Sequence, residues 1–148
     1  MSGKQPDYSL PRTKILRGKR NFQRLFKKST VLRTSGIQFR YRIYHNPSEG
    51  CFVGFIAKKS LGKAARRNRL KRIMREVYRT HQHLLSDLFA TNSFGFHGAF
   101  MAQKSTLSYD TVREQMISLM NEIRTLLIHR LNLRVENRTE ITNSKKEA

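Results

Sequence analysis

Between Ile37 and Tyr44 the chain alternates, with Ile37, Phe39, Tyr41 and Ile43 on one side and Gln38, Arg40, Arg42 and Tyr44 on the other. A period of two marks a strand with one face on a core and the other turned outward. Two arginines on the polar side make solvent or an anion the natural neighbour of that face. Asn46, Pro47, Ser48, Glu49 and Gly50 supply a turn. The apolar run Cys51–Ala57 then predicts a second strand, pairing back on the first as a hairpin. Upstream, Phe22, Leu25 and Phe26 recur at the i, i+3, i+4 spacing of one helical face. They predict a short amphipathic helix over residues 19–28, with Asn21 as its N-cap.

Farther along the period changes to 3.6. Leu70, Ile73, Met74, Val77, His81, Leu84 and Leu85 form one stripe of a second helix starting near Arg67 or Asn68, whose opposite face carries Asn68, Arg72, Arg75 and Arg79. Phe94–Ala102, rich in aromatic and small residues with glycines at 95 and 98, predicts another strand with close backbone approach. Thr111 with Glu114 reads as a capping box, and Val112, Met116, Leu119, Met120, Ile123 and Leu127 make the stripe of a last helix. The order is helix, two or three strands, helix, strand, helix. It sets a single domain over residues 10–131 between polar tails at 1–9 and 132–148 that have little to bury.

Charge adds a partner to this outline. The 148 residues include 30 Lys and Arg against 10 Asp and Glu, a formal charge of +20. So much like charge repels itself unless a polyanion neutralises it, which makes nucleic acid the expected partner. No apolar run approaches the roughly 18 residues needed to span a membrane, and the N-terminus has no signal-peptide stretch, so a cytoplasmic protein without membrane attachment is expected. Cys51 is the single cysteine and reads as a small buried hydrophobe.

The positive charge is concentrated. Lys58, Lys59, Lys63, Arg66, Arg67, Arg69, Lys71, Arg72, Arg75 and Arg79 stand against one acid, Glu76, where a merely solvated face would mix signs. Cations on one helical face and its leading loop can meet successive phosphates, and the helix N-terminus near Asn68 adds partial positive charge. Gly62, followed by Ala64 and Ala65, leaves room for a phosphate backbone beside the main chain. For single strands, Phe22, Phe26 and Tyr44 are candidate stacking rings and Arg40 and Arg42 candidate backbone contacts.

Protein-borne catalysis finds no support. Between Leu10 and Glu76 the acids are Glu49 and Glu76 alone, too few for a two-metal nuclease site. His81 and His83 point differently on a helix, and His45, His97 and His129 have no ligand spacing around them. Gly62-Lys63 does not complete a Walker A pattern. Neither a catalytic nor a metal-ligating residue is therefore named.

The run from Lys58 through Ser60, Leu61, Gly62, Arg67, Asn68 and Arg69 to Glu76 resembles the signature of the bacterial ribonuclease P protein family. The resemblance extends upstream over Arg17–Lys28 and downstream to the last helix near Ile128. It implies an α+β fold, an α-β-β-β-α-β-α two-layer sandwich of the ribosomal protein S5 domain 2 kind. The sheet would have four strands, with a left-handed crossover near Arg67, Asn68 and Arg69.

The function it implies is that of the accessory protein subunit of an endoribonuclease that removes the 5′ leader of precursor tRNA. The catalytic centre and its Mg2+ would then belong to the RNA subunit. By resemblance, Lys58, Lys59, Lys63, Arg66, Arg67, Asn68, Arg69, Lys71, Arg72, Arg75 and Arg79 would contact that RNA. Phe22, Phe26, Arg40, Arg42 and Tyr44 would line the leader cleft. Ribonuclease P RNA and precursor tRNA would be the partners of a monomeric protein, one per RNA. A structural RNA-binding protein of ribosomal type is the alternative that charge and size also allow; the ordered run Lys58–Glu76 separates the two. An RRM fits less well, because Asn92, Ser93 and His97 break the motif around Phe94-Gly95-Phe96.

Overall fold

The computed structural model describes the backbone of residues 8–147 and the side chains of residues 8–132. In chain order it forms α1 (Lys19–Lys27), β1 (Thr30–Arg33), β2 (Ile37–Tyr44), β3 (Cys51–Ala57), α2 (Ala64–His81), α3 (His83–Phe89), β4 (Gly95–Ala102) and α4 (Tyr109–Glu147). This is the expected α+β order with the second helix divided in two. The division has a local cause. Thr80 Oγ1 donates to the Glu76 and Val77 carbonyls, and the Gln82 amide donates to the carbonyls of Arg79 and of Ser9. Side chains that bond the backbone in this way compete with helical continuation.

The strands lie in the order β1-β2-β4-β3. β2 is antiparallel to β1 and to β4, placing Phe39 opposite Phe100 and Arg42 opposite His97, while β3 is parallel to β4. The expected β2–β3 hairpin is therefore corrected: β4 lies between the two strands. The Asn46–Gly50 turn closes as a 3₁₀ turn at Pro47–Glu49 and does not pair its flanking strands. All eight residues of β4 are buried, as suits an interior strand covered on both faces. Its Gly95 passes directly under that turn, and a Cβ there would stand 2.8 Å from Glu49 Cβ. The glycine permits the close approach. Parallel neighbours need a crossover, and α2 and α3 supply it.

One face of the sheet holds the main core. Phe39 and Phe100 meet at 4.4 Å between centroids, and Phe55, Phe96 and Tyr41 complete the aromatic layer. Leu70, Met74 and Val77 of α2 and Val112, Met116, Leu119, Met120 and Ile123 of α4 close it, all fully buried. Each such side chain contributes roughly 1.5–3 kcal/mol through removal from water. The other face carries α1, with Leu25 buried beside Leu16 and Ala99.

Three boundaries differ from the sequence expectation. Asn21 does not cap α1: Gly18 holds that position at φ 94°, and Asn21 Nδ2 donates back to the Arg17 carbonyl. α2 begins at Ala64, before Arg67 and Asn68, because the Lys63 carbonyl already accepts from the Arg67 N–H. Ser108, not Thr111, caps α4, its Oγ accepting from the Thr111 N–H at 3.2 Å. Of the expected N-terminal tail, residues 1–7 lie outside the described residues. Backbone assigned to the expected tail from 132 onward continues α4 to Glu147, with side chains beyond 132 outside the description.

Candidate nucleic-acid interface

The first basic surface is built on α2. Leu70, Met74, Val77 and Tyr78 fix one face of this helix to the core, so Arg66, Asn68, Arg69, Arg72 and Arg75 are exposed on it. The same amphipathic period that buries the stripe thus displays the cations. Lys58, Lys59 and Lys63 are exposed in the leading loop, whose 3₁₀ turn ends at Gly62 with φ 123°. That conformation suits glycine and few other residues. Arg67, half-buried, donates from Nε to the Gly62 carbonyl at 3.2 Å and so ties the loop to the helix. Arg69 reaches the Leu107 carbonyl, and Lys71 is half-buried. Arg79 differs from the rest: its guanidinium forks onto Glu76 at 2.7 and 3.0 Å and also donates to the Tyr8 carbonyl. The bonded arginine holds the Glu76 carboxyl below the usual carboxylate range.

The second surface joins α1 to the polar side of β2. Phe22 and Phe26 stack with centroids 6.3 Å apart. Phe22 packs on the small cluster around Leu25, whereas Phe26 is 40% exposed. Arg40 stands over the Phe26 ring at 5.6 Å, its Nε donating to Gln38 Oε1. An open ring beside a guanidinium is a stacking place for a base with a cation for its phosphate.

Tyr44 sits differently from the exposed position expected of it. It is 9% exposed, with Arg24 and Arg42 over its ring at 4.9 and 4.6 Å and His97 against its edge. Arg42 also donates to the Arg24 carbonyl. Tyr44 therefore positions the two guanidiniums and does not present a bare ring. Arg24 itself forks onto both Glu49 oxygens at 3.1 Å, locking α1 to the β2–β3 turn. That bond lowers the Glu49 carboxyl below its ordinary range. Burial pushes the His97 imidazole down, and its Nε2 bonds the Glu49 carbonyl at 3.0 Å. Among the described residues Tyr44 Oη and His97 Nδ1 have no hydrogen-bond partner, and both are buried.

Sequence reasoning missed Arg24 and Glu49. They are 25 residues apart, and no periodicity relates them. Arg24 lies within the α1 segment, but only the fold reveals its partner. Among the described residues no three His, Cys, Asp or Glu side chains come together to hold a metal, and no helix is long and apolar enough to cross a membrane.

The geometry agrees with what the chain is similar to. The ribonuclease P family profile matches residues 10–124. The ribonuclease P protein component of Thermotoga maritima is 28% identical over 121 residues, which cover 78% of this chain and 96% of that protein. That of Coprothermobacter proteolyticus is 33% identical over 75 residues, half of this chain and 60% of the relative's own length. The solved structure of the Thermotoga maritima RNase P protein superposes with a TM-score of 0.59 at 27% identity, covering 73% of this chain and 96% of that one. A Staphylococcus aureus RNase P protein, 17% identical, shares the fold at the same TM-score over 74% of this chain and 94% of its own. With a family match over residues 10–124 and a sheet, crossover and basic helix of the same architecture, the chain belongs to the ribonuclease P protein family.

Proposed function

We propose that this chain is the protein subunit of ribonuclease P, binding the catalytic RNA and the 5′ leader of precursor tRNA and assisting removal of that leader. One observation carries the reading: two cationic surfaces are built on different elements of the fold, one along α2 and its leading loop and the other on α1 and β2, where the exposed Phe26 ring stands beside Arg40. The α2 surface, from the Lys58 loop to Arg75, has the spacing to follow the phosphates of a folded RNA. The α1–β2 surface, with Phe26 exposed beside Arg40, suits an unpaired strand. Holding both RNAs at once converts their encounter into positioning on one scaffold.

In this reading the protein contributes no catalytic side chain. The described acids do not form a metal cluster, and Glu49, Glu76 and Asp87 are each bonded to an arginine, so they do not fit a resident Mg2+. The ion belongs to the RNA, and no step runs through a metal on the protein. The protein works as a monomer, one per RNA, in the cytoplasm.

The test is cleavage of 5′-labelled precursor tRNA in magnesium by the protein alone, the ribonuclease P RNA of its source alone, and both together. The expected result is RNA-dependent cleavage strongly enhanced by the protein. Tight RNA binding without any enhancement would move the chain to a structural RNA-binding role of ribosomal type, and cleavage by protein alone would overturn the division of labour.

A further inference from the structure

A hollow opens where β2 runs on past the start of β1. Thr30 pairs with Tyr41, so the outer edge of residues 42–44 has no strand beside it. The link between α1 and β1 contributes Lys28 and Ser29 to its wall, β2 contributes Arg42 and Tyr44, and α4 contributes Arg130. The position of Arg130 follows from packing. Leu127 is 2% exposed and Leu131 packs on the core, seating that turn of α4 against Ile43 and Phe94.

Among the described residues no acid lines the hollow. Glu122, two turns earlier on α4, acts electrostatically on Tyr41 but is not part of the wall. The described ion pairs use Arg24, Arg79 and Arg124, so Lys28 and Arg130 are unpaired among the described residues. Cations converging on one concavity repel one another until an anion enters. The Ser29 hydroxyl adds a donor of the kind a phosphate accepts, while the Thr30 side chain is bonded to Tyr41. Tyr44, more than nine-tenths buried, borders the hollow, and its Oη has no hydrogen-bond partner among the described residues. Along β2 the hollow continues the α1–β2 surface: Tyr44 is four residues beyond Arg40, about 13 Å at the usual strand rise.

We propose that this hollow is a phosphate site, in which Lys28, Arg42 and Arg130 hold one phosphodiester of a single-stranded RNA that has passed over Phe26 and Arg40. The identity of the strand rests on the function proposed above; the hollow itself recognises a phosphate group. Arg130 lies beyond residues 10–124 of the family match.

The test uses the full-length protein, without catalytic RNA and without cleavage, so that its outcome is separable from that of the proposed function. A fluorescent, unstructured decaribonucleotide is titrated into the wild type, Arg130→Gln, Lys28→Gln and the control Arg113→Gln. Arg113 is an exposed arginine near the start of α4, outside the hollow. Circular dichroism confirms that all four are folded. Each hollow variant is expected to lose affinity severalfold, and its plot of log K against log salt is expected to become shallower by about 0.7, the value for one phosphate contact on a single strand. The control should keep both quantities. In parallel, inorganic phosphate is added to 15N-labelled protein. Shifts of the Ser29 and Thr30 amides that Arg130→Gln abolishes would show a site for phosphate as such; shifts caused by the oligonucleotide alone would show one built for a phosphodiester strand. Wild-type affinity and slope in both hollow variants overturn the proposal.

Discussion

Arg40 holds its guanidinium 5.6 Å from the centroid of the Phe26 ring, so that a strand residue and a helix residue 14 positions apart present one composite surface. The ring is 40% exposed and adds little to the core. Phe26→Ala should therefore weaken binding of a single-stranded leader oligonucleotide by the equivalent of one stacked base, about 1–3 kcal/mol or roughly 5- to 150-fold. Fluorescence anisotropy and a thermal melt decide it. A fall in Tm as marked as the fall in affinity would place Phe26 in the core instead.

Arg72 and Arg75 are exposed on the side of α2 opposite Leu70 and Met74. Arg72→Ala with Arg75→Ala should impair binding to the catalytic RNA and make its salt dependence shallower by about one per lost phosphate contact. Thermal stability should stay within about 0.5 kcal/mol of the wild type for each surface change. Filter binding across a salt series reads the first quantity, and unfolding the second. An unchanged salt slope would mean that this face of α2 does not meet phosphates.

Stability should decline with acid in two windows. Burial holds His97 below the ordinary imidazole value, so as pH falls the unfolded chain takes up that proton first, and stability drops from about pH 6.5 downward. Glu49, Glu76 and Asp87 are depressed by bonds to Arg24, Arg79 and Arg124. Their contribution is complete above the unfolded carboxylate values and disappears as pH falls through the folded ones, below about pH 4.5. Urea midpoints measured from pH 8 to 3 should show both declines in the wild type and only the second in His97→Gln. Identical curves for the two proteins would exclude His97 as the source of the first.

Gly98 lies in β4 beneath the aromatic layer, and a Cβ there would stand in the Phe39 ring and 3.0 Å from Phe96. Gly98→Ala should destabilise the fold by about 1–3 kcal/mol through overpacking. A denaturant midpoint equal to that of the wild type would show that the layer yields at no cost.

Desolvation pushes the Cys51 thiol up to about 11, and Sγ lies 3.7 Å from the Phe94 carbonyl. The thiolate is the reactive form, so alkylation by iodoacetamide at pH 7.5 should be much slower than for a free thiol and should accelerate in urea. Rapid labelling of the native protein would contradict that burial.

Periodic features of the sequence translate directly into structure. The stripe Val112, Met116, Leu119, Met120, Ile123 is fully buried, and Ile37, Phe39 and Tyr41 point into the core while Arg40 and Arg42 lie on the other side. Burial of Gln38 and Tyr44 on that polar side is not periodic; it depends on neighbours that only the tertiary fold supplies. Strand partnership is equally non-local. The turn after Tyr44 resembles a hairpin turn, yet β4, which begins at Gly95, far beyond the turn in sequence, takes the place between β2 and β3. The uninterrupted apolar character of Phe94–Met101 apart from His97 was the available signal, since an interior strand has no face for polar residues. The Arg24–Glu49 fork had no such signal. The basic surface of α2, by contrast, was readable because charge and period coincide on one helix.

The interposed β4 also governs the order in which the chain can assemble. During synthesis β2 and β3 emerge before their common neighbour exists, and both inner edges remain open until Gly95–Ala102 has been made. The cationic helix lies in the connection from β3 to β4, so closing the sheet is the event that fixes it in place. Long-range pairing of this kind is slow, and open strand edges invite association. A polyanion that met the nascent α2 would be gripping an element whose seat was not yet built.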